Sequence, residues 1–239
     1  MKNHMLLMMG GKGTRLGADR PKQYIEVHNV PVFAYIVKKC GQLDMIDSIV
    51  IVSNEEWMDY VNKWVKKLKI KKSISVVPGG CNRSESVKNG LRELQNYAAD
   101  EDNILIHDAT HPYVDEFATE GVIDALEQYE GVTVGAYQYD TVYQVNDDDV
   151  IEKVVPRRYI VSGASPEAFK FGRIRDIYFN ATEEELEAMT SAGAIALAHG
   201  IEMKVVPATV VNLKITYKHD MDAFLKMAST YFFDDIIDE

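Results

Sequence analysis

The sequence has little cysteine and no long hydrophobic run. Its two cysteines, Cys40 and Cys81, lack CxxC spacing and are too few for a disulfide framework. We expect both to be packing residues in a protein of a reducing compartment. The only apolar run near the start, Met5 to Met9, is too short for a signal-peptide core, and no other stretch approaches membrane-spanning length. These absences predict a cytoplasmic location.

Positive charge is also scarce. The 239 residues include 26 Lys and Arg against 37 Asp and Glu, which gives a formal net charge of -11. A net-negative surface repels nucleic-acid phosphates and anionic lipid headgroups, so we expect neither nucleic acid nor a membrane as partner. Any anionic ligand must be held by a local group of cations. With 46% hydrophobic residues, the chain can bury a sizeable core, and we expect one domain over residues 1–239.

Short apolar runs rich in β-branched residues alternate with longer segments of helical period. The predicted strands are 5–9, 48–53, 73–77, 103–107 and 131–137. The predicted helices between them are 31–40, 54–69, 83–97 and 114–129. This alternation predicts an α/β fold with a mostly parallel sheet and helices on both faces. In such folds, ligands bind at the carboxyl ends of the strands.

The alternation breaks at residues 137–158, which read as two strands around an Asn-Asp-Asp-Asp turn. A hairpin cannot bury both of its faces alone, so it either lies over the domain or reaches out as an arm to another subunit. Three exposed-looking tyrosines, Tyr137, Tyr139 and Tyr143, favour the arm. After it we predict helices at 165–179, 183–199 and 218–233 and strands at 201–208 and 210–216.

A glycine-rich turn follows the first predicted strand in "MMGGKGTRLGADRPKQY", Met8 to Tyr24. A strand that leads into such a turn leaves backbone N–H groups free to bind phosphate oxygens. The Walker A pattern fails here because Leu6 and Gly13 replace its first Gly and its Ser or Thr, and the GxGxxG fingerprint fails at Leu16. A glycine turn with Arg15 and Lys22 remains, which suits a triphosphate. The alternative is a turn with solvated basic residues.

Six segments together resemble one enzyme family. The stretch "GGKGTRLG" resembles the signature of nucleotidyltransferases with a Rossmann-like GT-A type fold. The segments "PKQY", "VPGGCNRSESVKNGL", "IHDATHP", "DTV" and "NLKIT" then follow in the order typical of 2-C-methyl-D-erythritol 4-phosphate and ribitol-5-phosphate cytidylyltransferases. The resemblance covers essentially the whole chain. It implies a three-layer, mostly parallel sheet, a protruding β-hairpin arm at about 137–158, and transfer of a cytidylyl group from CTP to a polyol phosphate with release of pyrophosphate.

The resemblance also implies roles for individual residues. The catalytic cations are Arg15, Lys22 and Lys214. Asp108 is the Mg²⁺ ligand, and Mg²⁺ prefers such oxygen donors. The positions for CTP binding are Gly10, Gly11, Gly13, Gly80, Arg83 and Ser86, of which Gly80 and Ser86 hold the cytosine. The positions for acceptor binding are Asp108, His111, Thr141 and Arg157, with the last two supplied by the partner subunit of a homodimer.

Simpler structural explanations exist for several of these residues. Asp108 could cap the loop after its strand, Lys214 could be a solvated charge, and Thr141 could be an ordinary strand residue. Arg158 adjoins Arg157 and could take its role. His107 and His111 have the spacing of a metal site on a helix, but Pro112 after them favours a strand that runs into a loop.

Departures from the family pattern concern the acceptor. Val211 replaces a usual acid, His111 a usual Arg, "GASPEAF" (Gly163 to Phe169) a typical "QTPQ" segment, and Ser191-Ala192 a usual acidic pair. The missing acid and the Gly10-Gly11 pair favour ribitol 5-phosphate as acceptor, with 2-C-methyl-D-erythritol 4-phosphate as the alternative. A sugar-1-phosphate nucleotidyltransferase and a non-catalytic nucleotide-binding protein are further alternatives.

Overall fold

The computed structural model describes residues 1–11, 20–208 and 213–231, the last three by their backbone alone. In these ranges no helix is long and apolar enough to cross a membrane. The strands are β1 (Asn3–Met9), β2 (Glu26–Val27), β3 (Val30–Pro31), β4 (Ser48–Ser53), β5 (Ser73–Pro78), β6 (Asn103–Asp108), β7 (Gly131–Tyr137), β8 (Val142–Val145), β9 (Ile151–Val155), β10 (Val161–Lys170) and β11 (Met203–Pro207). The helices are α1 (Val32–Gln42), α2 (Met58–Leu68), α3 (Arg83–Leu94), α4 (Glu116–Ala125), α5 (Phe171–Asn180), α6 (Glu183–Ala188), α7 (Ala192–Ala198) and α8 (Lys218–Tyr231).

Seven of the described strands form the main sheet in the order β11-β7-β10-β6-β1-β4-β5. Only β10 runs antiparallel to its neighbours, β6 and β7. The other four pairs, β11–β7, β6–β1, β1–β4 and β4–β5, are parallel. This confirms the mostly parallel Rossmann-like sheet predicted from the sequence.

Side chains of β1 alternate between two hydrophobic cores, one on each face of the sheet. Met5, Leu7 and Met9 pack on one face with α1, α2, α4 and α8. Leu6 and Met8 pack on the other with α3, α5, α6 and α7. All five side chains are buried. Because both faces are covered, the strand is a continuous apolar run rather than an alternating one, as is usual for parallel sheets.

A separate two-stranded antiparallel sheet, formed by β8 and β9, confirms the predicted hairpin. Residues 146–150 connect the strands, and Asn146 Oδ1 accepts hydrogen bonds from the backbone N–H groups of Asp148 and Val150. Many apolar side chains of and around the hairpin are exposed, namely Tyr137, Tyr139, Tyr143, Val145, Val150, Ile151, Val154 and Tyr159. The exposure of the three tyrosines agrees with the sequence prediction.

The sequence prediction was wrong at three places after the hairpin. Residues 165–170 belong to β10 rather than to a helix, because the β6 and β7 edges on either side supply this segment with backbone partners. The predicted helix 183–199 is broken, since Met189 leaves the helical conformation and Ser191 caps a new helix. Residues 213–216, the described part of the predicted strand 210–216, form no strand.

One cysteine also differs from expectation. Cys40 is buried in the core as predicted, but Cys81 is exposed on the loop before α3. Its backbone N–H donates to Glu85 Oε2 at 2.7 Å, so the loop geometry, not side-chain packing, fixes this residue.

Candidate active site

The carboxyl ends of β1, β4, β5 and β6 meet at one edge of the sheet. These strands are mutually parallel, and the register pairs Met9 with Ser53, Ser53 with Pro78, and Met8 with Asp108. Gly10, at the start of the glycine-rich turn, the segment 79–86 that leads into α3, and Asp108 therefore lie side by side. This edge is where an open α/β sheet binds ligands.

Close backbone approach requires glycine at two neighbouring positions on this edge. A Cβ built at Gly79 would lie 3.2 Å from Ser86 Oγ, 3.3 Å from the Ser53 carbonyl oxygen and 3.4 Å from Gly10 Cα. A Cβ at Gly10 would lie 3.3 Å from the same hydroxyl. The glycine-rich turn and the loop after β5 thus contact each other directly. We call Gly10, Gly79, Gly80 and Ser86 the glycine cradle.

Ser86 fixes the shape of the loop that approaches the glycine-rich turn. Its hydroxyl accepts from Gly80 N at 3.0 Å and donates to the Asn82 carbonyl at 2.8 Å. Asn82 caps α3 by accepting from Glu85 N at 2.8 Å. A Cβ at Gly80 would lie 2.3 Å from the Glu85 side chain, so only glycine fits the folded-back loop.

Lys22 is held inside the protein by the short 3-10 turn Lys22–Tyr24. The side chain is only 8% exposed, and Nζ donates to the Ile215 carbonyl at 2.6 Å. The next residue supports the glycine-rich turn, because Gln23 Nε2 donates to the carbonyls of Met9 (2.8 Å) and Gly11 (2.7 Å). Lys22 is therefore a rigidly placed cation beside the cradle.

Asp108 lies at the end of β6 between two cations. Its Oδ1 is 3.0 Å from an Arg83 guanidinium nitrogen, and its Oδ2 is 3.5 Å from Lys214 Nζ. Burial raises the pKa of this carboxyl, but the positive charges of Arg83 and Lys214 outweigh burial and hold the pKa below its ordinary value. Asp108 is consequently an ionised carboxylate at neutral pH.

His111 lies in the loop after β6, and its ring joins this loop to β10. Ser165 Oγ lies 3.0 Å from His111 Nδ1 and accepts from Asp108 N at 3.2 Å. His107 on β6 contacts the His111 carbonyl through Nε2 at 2.9 Å, which confirms a strand that runs into a loop. Burial, with the nearby charge of Lys214, holds the pKa of His111 well below its ordinary value. The ring is therefore neutral at pH 7.

The two residues expected from a partner subunit lie apart from this cluster. Thr141 precedes β8, and Arg157 opens the short 3-10 turn after β9. Both side chains are exposed, and the Arg157 guanidinium donates to the Tyr139 carbonyl. In the described residues of one protomer, neither makes a hydrogen bond or ion pair with Lys22, Asp108 or Lys214.

The structure thus brings together Gly10, Gly80, Arg83, Ser86, Lys22, Asp108, His111 and Lys214, with Gly11 at the start of the glycine-rich turn. Two of the predicted residues, Gly13 and Arg15, lie outside the described residues, as does Val211.

Sequence reasoning missed Gln23, Ser165 and Glu167, whose side chains contact these residues or their backbone. The place of Gln23 directly after Lys22 was a usable signal. Ser165 and Glu167 were not predicted as site residues because residues 165–170 were predicted to be helical, whereas they belong to β10.

A glycine cradle beside fixed cations and one ionised carboxylate, at the carboxyl edge of a Rossmann-like sheet, defines a nucleotidyltransferase-type site. The family described as "IspD: 2-C-methyl-D-erythritol 4-phosphate cytidylyltransferase" matches residues 4–229. The chain belongs to this family of cytidylyltransferases, which confirms the family and the enzyme class expected from the motifs.

Similar proteins carry two acceptor names. A 2-C-methyl-D-erythritol 4-phosphate cytidylyltransferase of Thermotoga neapolitana is 32% identical over 92% of this chain and 94% of its own. A ribitol-5-phosphate cytidylyltransferase of Vibrio parahaemolyticus is 28% identical over 95% of this chain and 96% of its own. The solved 4-diphosphocytidyl-2C-methyl-D-erythritol synthase of Anaerococcus prevotii has a TM-score of 0.79 at 22% identity, over 95% of this chain and 96% of its own, which shows a shared fold.

Proposed function

We propose that this enzyme transfers the cytidylyl group of CTP to a sugar-alcohol phosphate, preferentially ribitol 5-phosphate, and releases pyrophosphate. The observation that carries the proposal is the grouping of Lys22, Lys214, Arg83 and Asp108 beside the glycine cradle. A triphosphate needs fixed cations and backbone donors, and the cradle lies where a parallel sheet binds nucleotides.

In the proposed reaction, a phosphate oxygen of the acceptor attacks the α-phosphorus of CTP. A new P–O bond forms there while the bond to the pyrophosphate oxygen breaks, and pyrophosphate leaves with its electron pair. Lys22, Lys214 and Arg15 neutralise the charge on the α-phosphate and the leaving group. Because no covalent bond to the protein is needed, placement of these charges accounts for most of the catalysis.

Asp108 fits the role of a Mg²⁺ ligand. Mg²⁺ in phosphoryl-transfer sites commonly takes one or two carboxylates, with phosphate oxygens and water as the other ligands. Asp108 supplies one ionised carboxylate, and among the described residues no group of three acidic, His or Cys side chains forms a fuller cage. When bound, Mg²⁺ would neutralise charge on the triphosphate.

We further propose a homodimer formed through the hairpin, in which the partner subunit's Thr141 and Arg157 bind the acceptor phosphate. The support is the set of exposed apolar side chains on the hairpin, since aromatic and aliphatic residues concentrated on one protruding element are typical of an interface. The cytoplasmic location stays a prediction.

The preference for ribitol 5-phosphate is supported by Val211, which stands where the erythritol-phosphate branch usually has an acid, and by the Vibrio relative named for ribitol 5-phosphate. The second candidate acceptor is 2-C-methyl-D-erythritol 4-phosphate. It is favoured by the family description and by the names of relatives at 30–32% identity.

The test is Mg²⁺-dependent pyrophosphate release from CTP with ribitol 5-phosphate, 2-C-methyl-D-erythritol 4-phosphate and glycerol 3-phosphate, each compared with UTP as donor. We expect turnover with CTP and the highest kcat/KM for ribitol 5-phosphate. A higher kcat/KM for the erythritol phosphate would replace our acceptor with the second candidate. No turnover with any acceptor would refute the proposed reaction.

A further inference from the structure

Glu167 connects the Arg83–Asp108 ion pair to a helix that contributes no residue to the proposed reaction. The residue lies on β10, where its backbone pairs with Ile106 of β6 on one side and Thr133 of β7 on the other. Its side chain is 15% exposed and faces the start of α7. Because pairing with two neighbouring strands fixes the backbone of Glu167, its carboxylate is attached to a rigid part of the sheet.

Both oxygens of the Glu167 carboxylate bind the first turn of α7. Oε2 accepts from Ala192 N and Oε1 from Gly193 N, each at 3.0 Å. These amides have no acceptor within the helix, and a carboxylate is the favoured partner at this end of a helix. A Cβ at Gly193 would lie 2.6 Å from Oε1, so the Glu167 carboxylate can bind these amides in this position only because residue 193 is glycine.

The same carboxylate faces Arg83. Glu167 Oε2 lies 3.9 Å from the guanidinium nitrogen that contacts Asp108 Oδ1 at 3.0 Å. Arg83 therefore lies between two acids, and Asp108 between two bases, Arg83 and Lys214. The four charges balance. Without the charge of Glu167, the group would carry one net positive charge and Arg83 would act on Asp108 alone.

We propose that Glu167 is a positioning residue for cytidylyl transfer: its carboxylate, anchored by the first turn of α7, holds Arg83 in place and thereby keeps the Asp108 carboxylate available to the acceptor side of the site. The inference rests on the proposed function, in which Asp108 serves the transfer. Glu167 itself touches neither substrate, so its effect passes through Arg83. Loss of its charge should therefore lower kcat and, because Arg83 is also a proposed CTP contact, raise the KM for CTP.

The first experiment compares steady-state kinetics of wild type and Glu167→Gln with the preferred acceptor. We expect kcat to fall about tenfold, as when an outer partner of a catalytic carboxylate is lost, with a raised KM for both the acceptor and CTP. The matched control is Glu185→Gln. Glu185 also binds a helix start through its carboxylate, accepting from Thr182 N at 2.8 Å, but it has no contact with Arg83. We expect all its kinetic constants to equal those of wild type.

Gly193→Ala provides a test that leaves every charge in place. The new methyl group displaces the Glu167 carboxylate from α7, while alanine favours the helix, so the variant should fold. We expect the kinetic pattern of Glu167→Gln. In an Arg83→Gln background, Glu167→Gln should have no further effect on kcat, because its action requires Arg83.

Unchanged kinetic constants in Glu167→Gln, or equal losses in the Glu185→Gln control, would overturn the inference and leave the proposed function intact. A full additional loss in the Arg83→Gln background would also overturn it, since Glu167 would then act independently. Absence of turnover by the wild-type enzyme would instead refute the proposed function, and this role with it.

Discussion

Lys22 Nζ donates a hydrogen bond of 2.6 Å to the carbonyl of Ile215, a residue 193 positions further along the chain. Nζ of Lys214, the residue before Ile215, lies 3.5 Å from Asp108 Oδ2. The backbone N–H of Ile215 donates to the Thr110 carbonyl at 2.8 Å. The segment that carries Lys214 is thus attached both to the loop after β6 and to Lys22. The backbone next to Lys214 is therefore anchored by Lys22.

This attachment predicts the result of Lys22→Ala. The variant removes a fixed cation from the proposed triphosphate site, and loss of one such electrostatic partner typically lowers kcat about 100-fold or more. It also leaves the Ile215 carbonyl without this donor, so the free energy of unfolding should fall by about 1–2 kcal/mol. Pyrophosphate release and urea denaturation measure the two effects.

Lys63→Ala is the control for Lys22→Ala, because Lys63 is exposed on α2. We expect its activity and stability to match those of wild type. If Lys22→Ala kept wild-type kcat, Lys22 would be a structural residue only.

The close contact between the glycine-rich turn and the 79–86 loop predicts the effect of Gly79→Ala. Its new methyl group would press on the Ser53 carbonyl and on Gly10 Cα, which are backbone atoms and cannot rotate away. We expect the two segments to separate and the KM for CTP to rise about tenfold, as binding depends on their spacing. Gly163→Ala is the control, since a Cβ there meets nothing within 4 Å. An equal rise in both variants would contradict this account.

Much of the fold could be predicted because each face of the sheet is covered. The runs 48–53 and 131–137 match β4 and β7 at both ends, since buried parallel strands are continuous apolar runs bounded by polar or glycine residues. The segment 165–170 was mistaken because its local pattern suits a helix, and the pairing with β6 and β7 that overrides it is set by distant residues.

The candidate site was predictable to the extent that its residues form short motifs. Lys22, Asp108 and Lys214 were predicted in this way, and the structure groups them, while their roles stay predictions. Gln23 and Glu167 were not found, because they act by contacts to backbone N–H and carbonyl groups that no residue pattern reveals.

Asp102 at the opposite edge of the sheet predicts a pH-dependent contribution to stability. Its carboxylate accepts from Lys2 N (2.7 Å) and Ala99 N (2.9 Å) and lies 3.3 Å from His4 Nε2. Burial raises the pKa of this carboxyl, but these hydrogen bonds outweigh burial and hold the pKa below its ordinary value. A lowered pKa means that the folded state favours the ionised form. The contribution is complete above the unfolded-state pKa of about 3.9 and is lost as pH falls through the lower folded-state pKa.

We therefore expect Asp102→Asn to lower the free energy of unfolding at pH 7 by about 1–3 kcal/mol, because one amide group cannot accept both backbone N–H bonds. The deficit should shrink as pH falls below about 4, where Asp102 of the unfolded chain becomes protonated, and it should be lost below the lower folded-state pKa, where the folded wild type is protonated too. Urea denaturation at several pH values measures it. Asp100→Asn is the control. It removes one partner of an exposed ion pair with Arg175 and should lower the free energy of unfolding only slightly. A deficit that stays constant down to pH 2 would contradict an electrostatic origin.

The proposed homodimer predicts that two inactive variants can restore each other. If each site combines Lys22 of one subunit with the partner subunit's Arg157, a heterodimer of Lys22→Ala and Arg157→Ala subunits holds one site with both residues intact and one with neither. Random pairing makes half of the dimers heterodimers, so co-folded subunits should recover about a quarter of wild-type activity. Each variant alone should be nearly inactive at low acceptor concentration.

Val154→Asp tests whether Arg157 acts on the site of the partner subunit or on the site of its own subunit. Val154 on β9 is 62% exposed in the protomer, and a charge there should weaken an apolar interface through the hairpin. When both subunits carry Val154→Asp, light scattering should show monomers and complementation should disappear. Glu152→Gln, at an exposed polar position on the same strand, should leave both intact. Two results would show that Arg157 does not act across the subunit boundary. One is recovery of activity in mixed subunits that are monomeric, and the other is no recovery of activity in mixed subunits that form dimers of wild-type size.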